Sequence, residues 1–382
     1  MDYILQWIYL DFEYAKSDIS VRYFPYEGTD PHFVTDDRGF ESVINQYQAD
    51  NVPAENIRLS HRVKSVNYDV SLENEGTTYC ALIQTTDEAN RVDRDFYGQR
   101  VISTVSAGVL NSGDIDFQPA FAYPTTEYNP FEMAQYIKVF YQFNETFWND
   151  TEFVEIMRDV DQRGHCHHWQ NMDLFMPGSG LIRCELMTEA FEELIDPNTK
   201  ELSDETLLEL LEPLRIVYGS ETVGTPLDMY YPKINLDADY GYGAYSYWKI
   251  GYSFTDFAKF VGGVEDLTPY CEHNGCNSNG DWVLFISGSA TCYRWSEYVH
   301  GGYYAGQRSA RFVLESMGYD VQGSNNQCDI WWNELAFAPP SFLERLGFGG
   351  RESSATIDKE KKELKLRTDG KVGRGRSKYV WA

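Results

Sequence analysis

The residues best suited to chemistry lie near the end of the chain, in "DWVLFISGSATCYRWSEYVHGGYYAGQRSARFVLES" (281–316). A strand over 282–287 passes through glycine and small residues into a loop, and a helix then opens on Val299-His300-Gly301-Gly302. A helix N-terminus leaves N–H groups unpaired and carries the positive end of the macrodipole, and paired glycines let a ligand approach that backbone. The pattern suits a large anionic or dipolar ligand. Close packing of a helix on a strand asks for the same small residues, and the spacing leaves both readings open.

A second candidate is Lys138, in the apolar and aromatic run "YIKVF" (136–140). An unpaired ammonium is costly to bury, so such a lysine is either held for a purpose or snorkels from a strand end. "HCHHW" (165–169) invites a metal reading, but the packed triplet lacks the i, i+4 or C-x-x-C geometry of a good site, and no metal is expected. The seven cysteines show no C-x-x-C pair and their odd number leaves at least one outside any internal disulfide; Cys271 and Cys276 are spaced to close a small loop in an oxidising compartment. The triplets beginning at Asn144 and Asn149 have the form of glycosylation acceptors, which leaves the redox compartment open.

The elements that must position these residues follow from periodicity. Residues 37–49 predict a helix with Phe40, Val43, Ile44 and Tyr47 on one face, and 57–72 and 77–86 alternate as strands of a meander. Residues 100–105 read as a short strand for a sheet interior. The run 129–143 opens on Asn-Pro, a helix start, and then turns β-branched and aromatic, so a helix running into a strand is expected. "SDETLLELLEPLRIVYG" (203–219) predicts one amphipathic helix capped by Ser203.

At 382 residues the chain has ample core for two domains or one large discontinuous unit. No run of 18 apolar residues occurs, and the acidic opening stretch does not read as a secretory signal. With 32 basic against 59 acidic side chains the net charge is −27, and residues 351–382 hold ten of the basic and only five of the acidic ones. The body is therefore more acidic than the whole. It repels nucleic acid and anionic lipid and draws in small cations, although solvated acid without purpose has the same composition.

Taken together, "RVISTVSAGVLNSGDIDFQPAF" (100–121), "MAQYIKVFYQFNETFW" (133–148), "YGAYSYW" (242–248) and "FISGSATCYRWSEYVHGGYYAGQRSA" (285–310) resemble the FAD-dependent amine oxidases, most closely polyamine oxidases, from about residue 5 to residue 317. The resemblance implies a two-domain α/β fold, with an incomplete Rossmann-like FAD-binding domain (31–127 and 241–320) interleaved with an α+β substrate-binding domain (1–30 and 128–240). An extension (321–350) and a basic tail (351–382) would follow. It implies FAD as cofactor, held by Val63, Gly288, Ser289, Tyr298 and Val299, with Val63 meeting the adenine through its backbone. Lys138 matches the lysine that holds a water against flavin N5; Tyr298 and Tyr245 match the aromatic pair that sandwiches the substrate amine, and Glu13 an acid of the substrate tunnel. The implied chemistry is oxidation of a polyamine, with imine hydrolysis and reoxidation by dioxygen to hydrogen peroxide.

The sequence also departs from that family. A strand–GxGxxG–helix unit is absent, which implies a truncated or diverged form, and the chain opens inside what would be the substrate domain. Ser289 stands where the family has an acid, Glu297 where it has glycine, and Ile234-Asn235 where it has an aromatic pair. The leading expectation is a polyamine oxidase; the alternative is a catalytically inactive remnant that binds or regulates. A lysine demethylase of the same superfamily is a weaker expectation, since no helical insertion or partner domain is recognised. Oligomeric state and compartment are not legible.

Overall fold

A computed structural model describes residues 38–120, 130–159, 164–233, 242–249, 275–292 and 295–321, with residues 162, 251–252, 257 and 328 besides. All belong to the first of two units into which the chain divides. Glu13, Cys271, Ile234-Asn235 and the tail lie outside the described residues.

Helix α1 (Phe40–Asn51) leads to a meander of β1 (His61–Asn67), β2 (Leu72–Asn74), β3 (Thr77–Tyr79), β4 (Ala81–Asp87) and β5 (Val92–Gly98); β1 and β4 lie where strands were expected, while β2 and β5 were not foreseen. Next come β6 (Val101–Ser103), helix α2 (Ala107–Ser112) and β7 (Asp116–Gln118). Four of these strands form a sheet in the order β5-β4-β1-β7, with β1 and β7 parallel and the other pairs antiparallel. Ser106 caps α2 by accepting from the Val109 N–H, which satisfies one of the orphan donors of the first turn.

The run from 130 to 143 contains no helix. It forms β8 (Phe131–Ala134) and β9 (Tyr136–Gln142): the expected strand is β9, whereas β8 stands where a helix was expected because it finds a cross-strand partner that local propensity does not foresee. β9 joins β10 (Phe153–Glu155), β11 (His165–Asn171), β12 (Leu181–Met187) and β13 (Asp228–Tyr230) in an antiparallel sheet ordered β10-β11-β12-β9-β13. One face is the main core: Ile137, Val139, Tyr141, Trp169, Ile182 and Leu186 pack together with leucines from the segment after β12. The other face of β9 carries Tyr136, Lys138 and Phe140, the intervening members of the period-two alternation.

Helix α3 (Thr188–Leu194) precedes the segment expected as a single capped helix. Ser203 does cap it, accepting from the Thr206 N–H, but the segment divides into α4 (Asp204–Glu209) and α5 (Glu212–Tyr218). Pro213, in the first turn of α5, has no N–H to continue the α4 ladder.

Strand β14 (Tyr245–Trp248) pairs with β8 in antiparallel register, Tyr245 opposite Ala134. Strand β15 (Leu284–Ile286) pairs in parallel with β6, and helix α6 (Val299–Ser316) follows it. Gly301, Ala305, Arg308, Ser309 and Phe312 are buried along one stripe of α6. Its last turn is tied down by Arg100, whose Nε donates to Ser316 Oγ and Nη2 to the Ser316 carbonyl, each at 3.0 Å. A cation there complements the negative end of the helix. Among the described residues no helix is long and apolar enough to cross a membrane.

Candidate active site

The parallel strands β6 and β15 both lead, at their carboxyl ends, toward helix N-termini: β6 to the Ser106-capped α2 and β15 to α6. The crevice outside the carboxyl ends of parallel strands is where open α/β sheets bind nucleotides. Here the backbone turns at Gly288, whose φ of 131° only glycine adopts readily, into a single 3-10 turn, Ser289–Thr291.

The paired glycines of α6 have different reasons. A Cβ on Gly301 would stand 1.8 Å from the Trp295 carbonyl oxygen, so Gly301 is small because the helix packs there. On Gly302 the nearest atom to a Cβ would be the Ser289 nitrogen at 4.0 Å, and on Gly288 the Thr104 oxygen at 3.9 Å. The packing reading therefore holds for Gly301, while the backbone at Gly302 and Gly288 is left bare. Beside this bare backbone the Ser287 hydroxyl is 2 % exposed and has no hydrogen-bond partner among the described residues. Bare backbone, an orphaned hydroxyl and a helix N-terminus with no side-chain cap fit part of a dinucleotide cofactor.

Glu297 and Ser289, the two departures near this turn, are in contact. Ser289 Oγ donates to Glu297 Oε2 at 3.3 Å, and Ser246 Oγ donates to the other carboxylate oxygen. Glu297 has a left-handed backbone, with φ at 67°, a conformation that costs a side-chain-bearing residue about 1 kcal/mol or more. Burial raises its pKa, against lowering by bonds from Ser246 and Ser289. Among the described residues no basic side chain forms an ion pair with it.

The predicted site residues fall into two groups. Lys138 and Tyr245 meet through Tyr136: the Lys138 Nζ stands 5.7 Å from the centroid of the Tyr136 ring, and the Tyr245 ring meets Tyr136 edge-on at 6.3 Å. Lys138 is half-buried, placed over an aromatic face that favours its charge. Gly288, Ser289, Tyr298 and Val299 form the second group around the start of α6, where the Tyr298 ring lies against His300 at 5.3 Å. The Ser246–Glu297 bond joins the groups, since these residues adjoin Tyr245 and Tyr298 in sequence. Val63 lies on β1 opposite Thr85, at the irregularity before Ser65.

Sequence reasoning missed Tyr136, Glu185 and Ser287. Tyr136 was within reach, because a residue two positions from Lys138 shares its face once the segment is known as a strand. In "HCHHW", Cys166 is bonded to Cys184, while His167 is fully buried with neither ring nitrogen hydrogen-bonded among the described residues. Burial pushes the His167 pKa down to about 4, so the ring is neutral at pH 7. Cys292 pairs with Cys328, Cys276 is also disulfide-bonded, and Cys80 is free.

The model of the flavin-containing amine oxidoreductases matches residues 5–314. The chain belongs to that family. Among its relatives, polyamine oxidase 6 of Oryza sativa subsp. japonica is 25% identical over 297 residues, 75% of this chain and 53% of the relative. Polyamine oxidase 1 of Zea mays is 25% identical over 353 residues, 85% and 62% of the two chains. A lysine-specific histone demethylase 1 homolog of Oryza sativa subsp. japonica is 26% identical over 330 residues, covering 82% of this chain and 34% of the relative. The chain thus spans about half to three fifths of the polyamine oxidases it matches. A solved putrescine oxidase triple mutant, 16% identical, superposes with a TM-score of 0.51 over 73% of this chain and 53% of its own. The likeness shows the fold of the flavin amine oxidases, and FAD is the family's cofactor.

Proposed function

We propose that the protein oxidises polyamines, with FAD as cofactor and dioxygen as the final acceptor. The observation that carries this reading is the half-buried Lys138 held over Tyr136 beside Tyr245, a cation fixed among aromatic rings on one face of a rigid sheet. Gly288, Ser289, Ser287 and the first turn of α6 would hold FAD, with Val63 toward its adenine. FAD bound there would supply the acceptor for a hydride from the carbon beside the amine nitrogen, the nitrogen giving up a proton; water would then hydrolyse the imine to a carbonyl compound and an amine, and dioxygen would take the two electrons to become hydrogen peroxide.

The chain's own residues orient and exclude water. Tyr245 and Tyr298 present aromatic faces to a cationic carbon chain, which they attract while keeping solvent from the reacting C–H bond. Lys138 holds a water by hydrogen bonding and supplies positive charge near it. Glu13 is proposed to line the approach. The acidic body would draw a multiply charged amine toward the cleft.

A second reading, a binding protein without turnover, is favoured by one observation: the Glu297 carboxylate occupies Ser246 and Ser289 at the cofactor turn. The deciding experiment purifies the 382-residue chain, adds FAD, and records flavin absorbance and peroxide release with spermine and spermidine. Bound flavin with amine-dependent peroxide supports the oxidase. Amine binding without bound flavin or peroxide supports the second reading.

A further inference from the structure

The face of the sheet that carries Lys138 holds a connected set of polar side chains across adjacent strands. Glu185, on β12, lies directly opposite Lys138 in the register of β9 and β12. Its carboxylate accepts from the Tyr136 hydroxyl at 2.6 Å and from Arg183 Nη1 at 2.5 Å. Arg183 Nε donates to Gln170 Oε1 at 2.7 Å, and Gln170 Nε2 donates to Glu152 Oε1 at 3.2 Å. Glu185 is 5% and Arg183 8% exposed.

A charge that deep is stable only when paired and hydrogen-bonded. Burial acts against the Glu185 charge, but Arg183, His168 and the Tyr136 hydroxyl outweigh it and hold the carboxyl below its ordinary range. A network with its donors and acceptors matched has one low-energy arrangement, so it fixes the groups at its end. That end is Tyr136, whose ring stands beneath the Lys138 ammonium and against Tyr245. The apolar core lies on the opposite face, and a buried ion pair is often no more stabilising than apolar residues of similar volume.

We infer that Glu185 is a positioning residue: it anchors the Tyr136 hydroxyl, and through that ring sets where the Lys138 ammonium and the Tyr245 ring stand. Its meaning for catalysis rests on the proposed oxidation, but the placement itself is open to a test that needs no flavin.

The test is competitive acetylation of the full chain at pH 8.5 (about two units below a free lysine's pKa), read by mass spectrometry, with Lys64 as internal reference. Lys64 lies on the other sheet, paired with Asp93 at 2.8 Å. Glu185→Gln weakens the anchor of the Tyr136 hydroxyl and so loosens the hold of that ring on the Lys138 ammonium, and Lys138 labels at least about threefold faster relative to Lys64. Tyr136→Phe keeps the ring and removes only its tether; Lys138 labels at least about twofold faster, and adding this change to Glu185→Gln gives less than the product of the two effects.

A folded Tyr136→Phe protein that labels Lys138 at the wild-type rate overturns the inference, and it decides the matter alone if Glu185→Gln leaves Arg183 unpaired and does not fold. In FAD-loaded protein, Tyr136→Phe is expected to lower kcat at least about tenfold with KM within about twofold, the pattern of a group misplaced for the chemical step. A raised KM with unchanged kcat counts against the inference. If the wild type shows no turnover but Lys138 labelling responds as stated, the positioning stands and the oxidase reading falls; turnover with unresponsive labelling has the reverse meaning.

Discussion

The carboxylate of Glu297 accepts a hydrogen bond from the hydroxyl of Ser289 at 3.3 Å, so two residues eight positions apart at the turn before α6 complement one another. Burial raises the Glu297 pKa, and the folded protein therefore keeps a proton that the unfolded chain releases. The stability this contributes is fully present below the ordinary carboxylate range and is lost as pH rises through the raised value. Glu297→Gln should remove that dependence. Melting temperatures of wild type and variant, compared from about pH 4 to about pH 8 across the carboxylate range, should diverge with the wild type falling behind at the upper end; a constant difference would count against a raised pKa.

Gly301→Ala places a methyl against the Trp295 carbonyl oxygen, within 1.8 Å, and backbone must move. A loss of about 1–3 kcal/mol or more is expected in denaturant melts. Gly302→Ala meets no atom closer than 4.0 Å and should keep wild-type stability while weakening FAD in a flavin titration. Equal melting temperatures for the two variants would show that the packing argument for Gly301 is wrong.

Lys138→Met should slow flavin reduction or reoxidation in stopped-flow measurements and leave FAD bound, because the lysine acts on the reacting end and not on the cofactor's anchorage. Tyr245→Ala and Tyr298→Ala should each cost about 1–3 kcal/mol in kcat/KM for polyamines. Wild-type kinetics in both tyrosine variants would reduce them to packing.

His167 is neutral and fully buried, its pKa pushed down by burial from 6.5 to about 4. The unfolded chain binds a proton in that interval and the folded one does not, so stability is lost as pH falls from 6.5 toward 4, by roughly 3 kcal/mol in all. His167→Phe should flatten the acid limb of the stability profile over that interval. A limb as steep as wild type would mean another group titrates there.

The meander strands β1 and β4, the buried strand β15 and the start of α6 were legible because alternation and a glycine-rich helix opening act over a few neighbouring residues. In the segment 130–142 the strand that ends it was expected, but its opening reads as a helix. Asn129-Pro130 is a sound local signal for a helix, yet β8 pairs residue by residue with β14, Phe131 with Trp248 and Ala134 with Tyr245. Backbone hydrogen bonds to a distant strand outweigh a propensity worth tenths of a kcal/mol per residue.

Sequence alone determined the family, the acidic surface and the residue types at the cofactor turn, which are properties of composition and short motifs. Tertiary structure decided which of those residues have partners. Tyr136 and Glu185 are 49 positions apart, and Ser246 and Glu297 are 51 apart. Whether the pKa of a carboxyl group in the chain is held down or pushed up depends on burial and on which donors reach it. Those are set by strand register and helix packing between segments that carry no local record of one another.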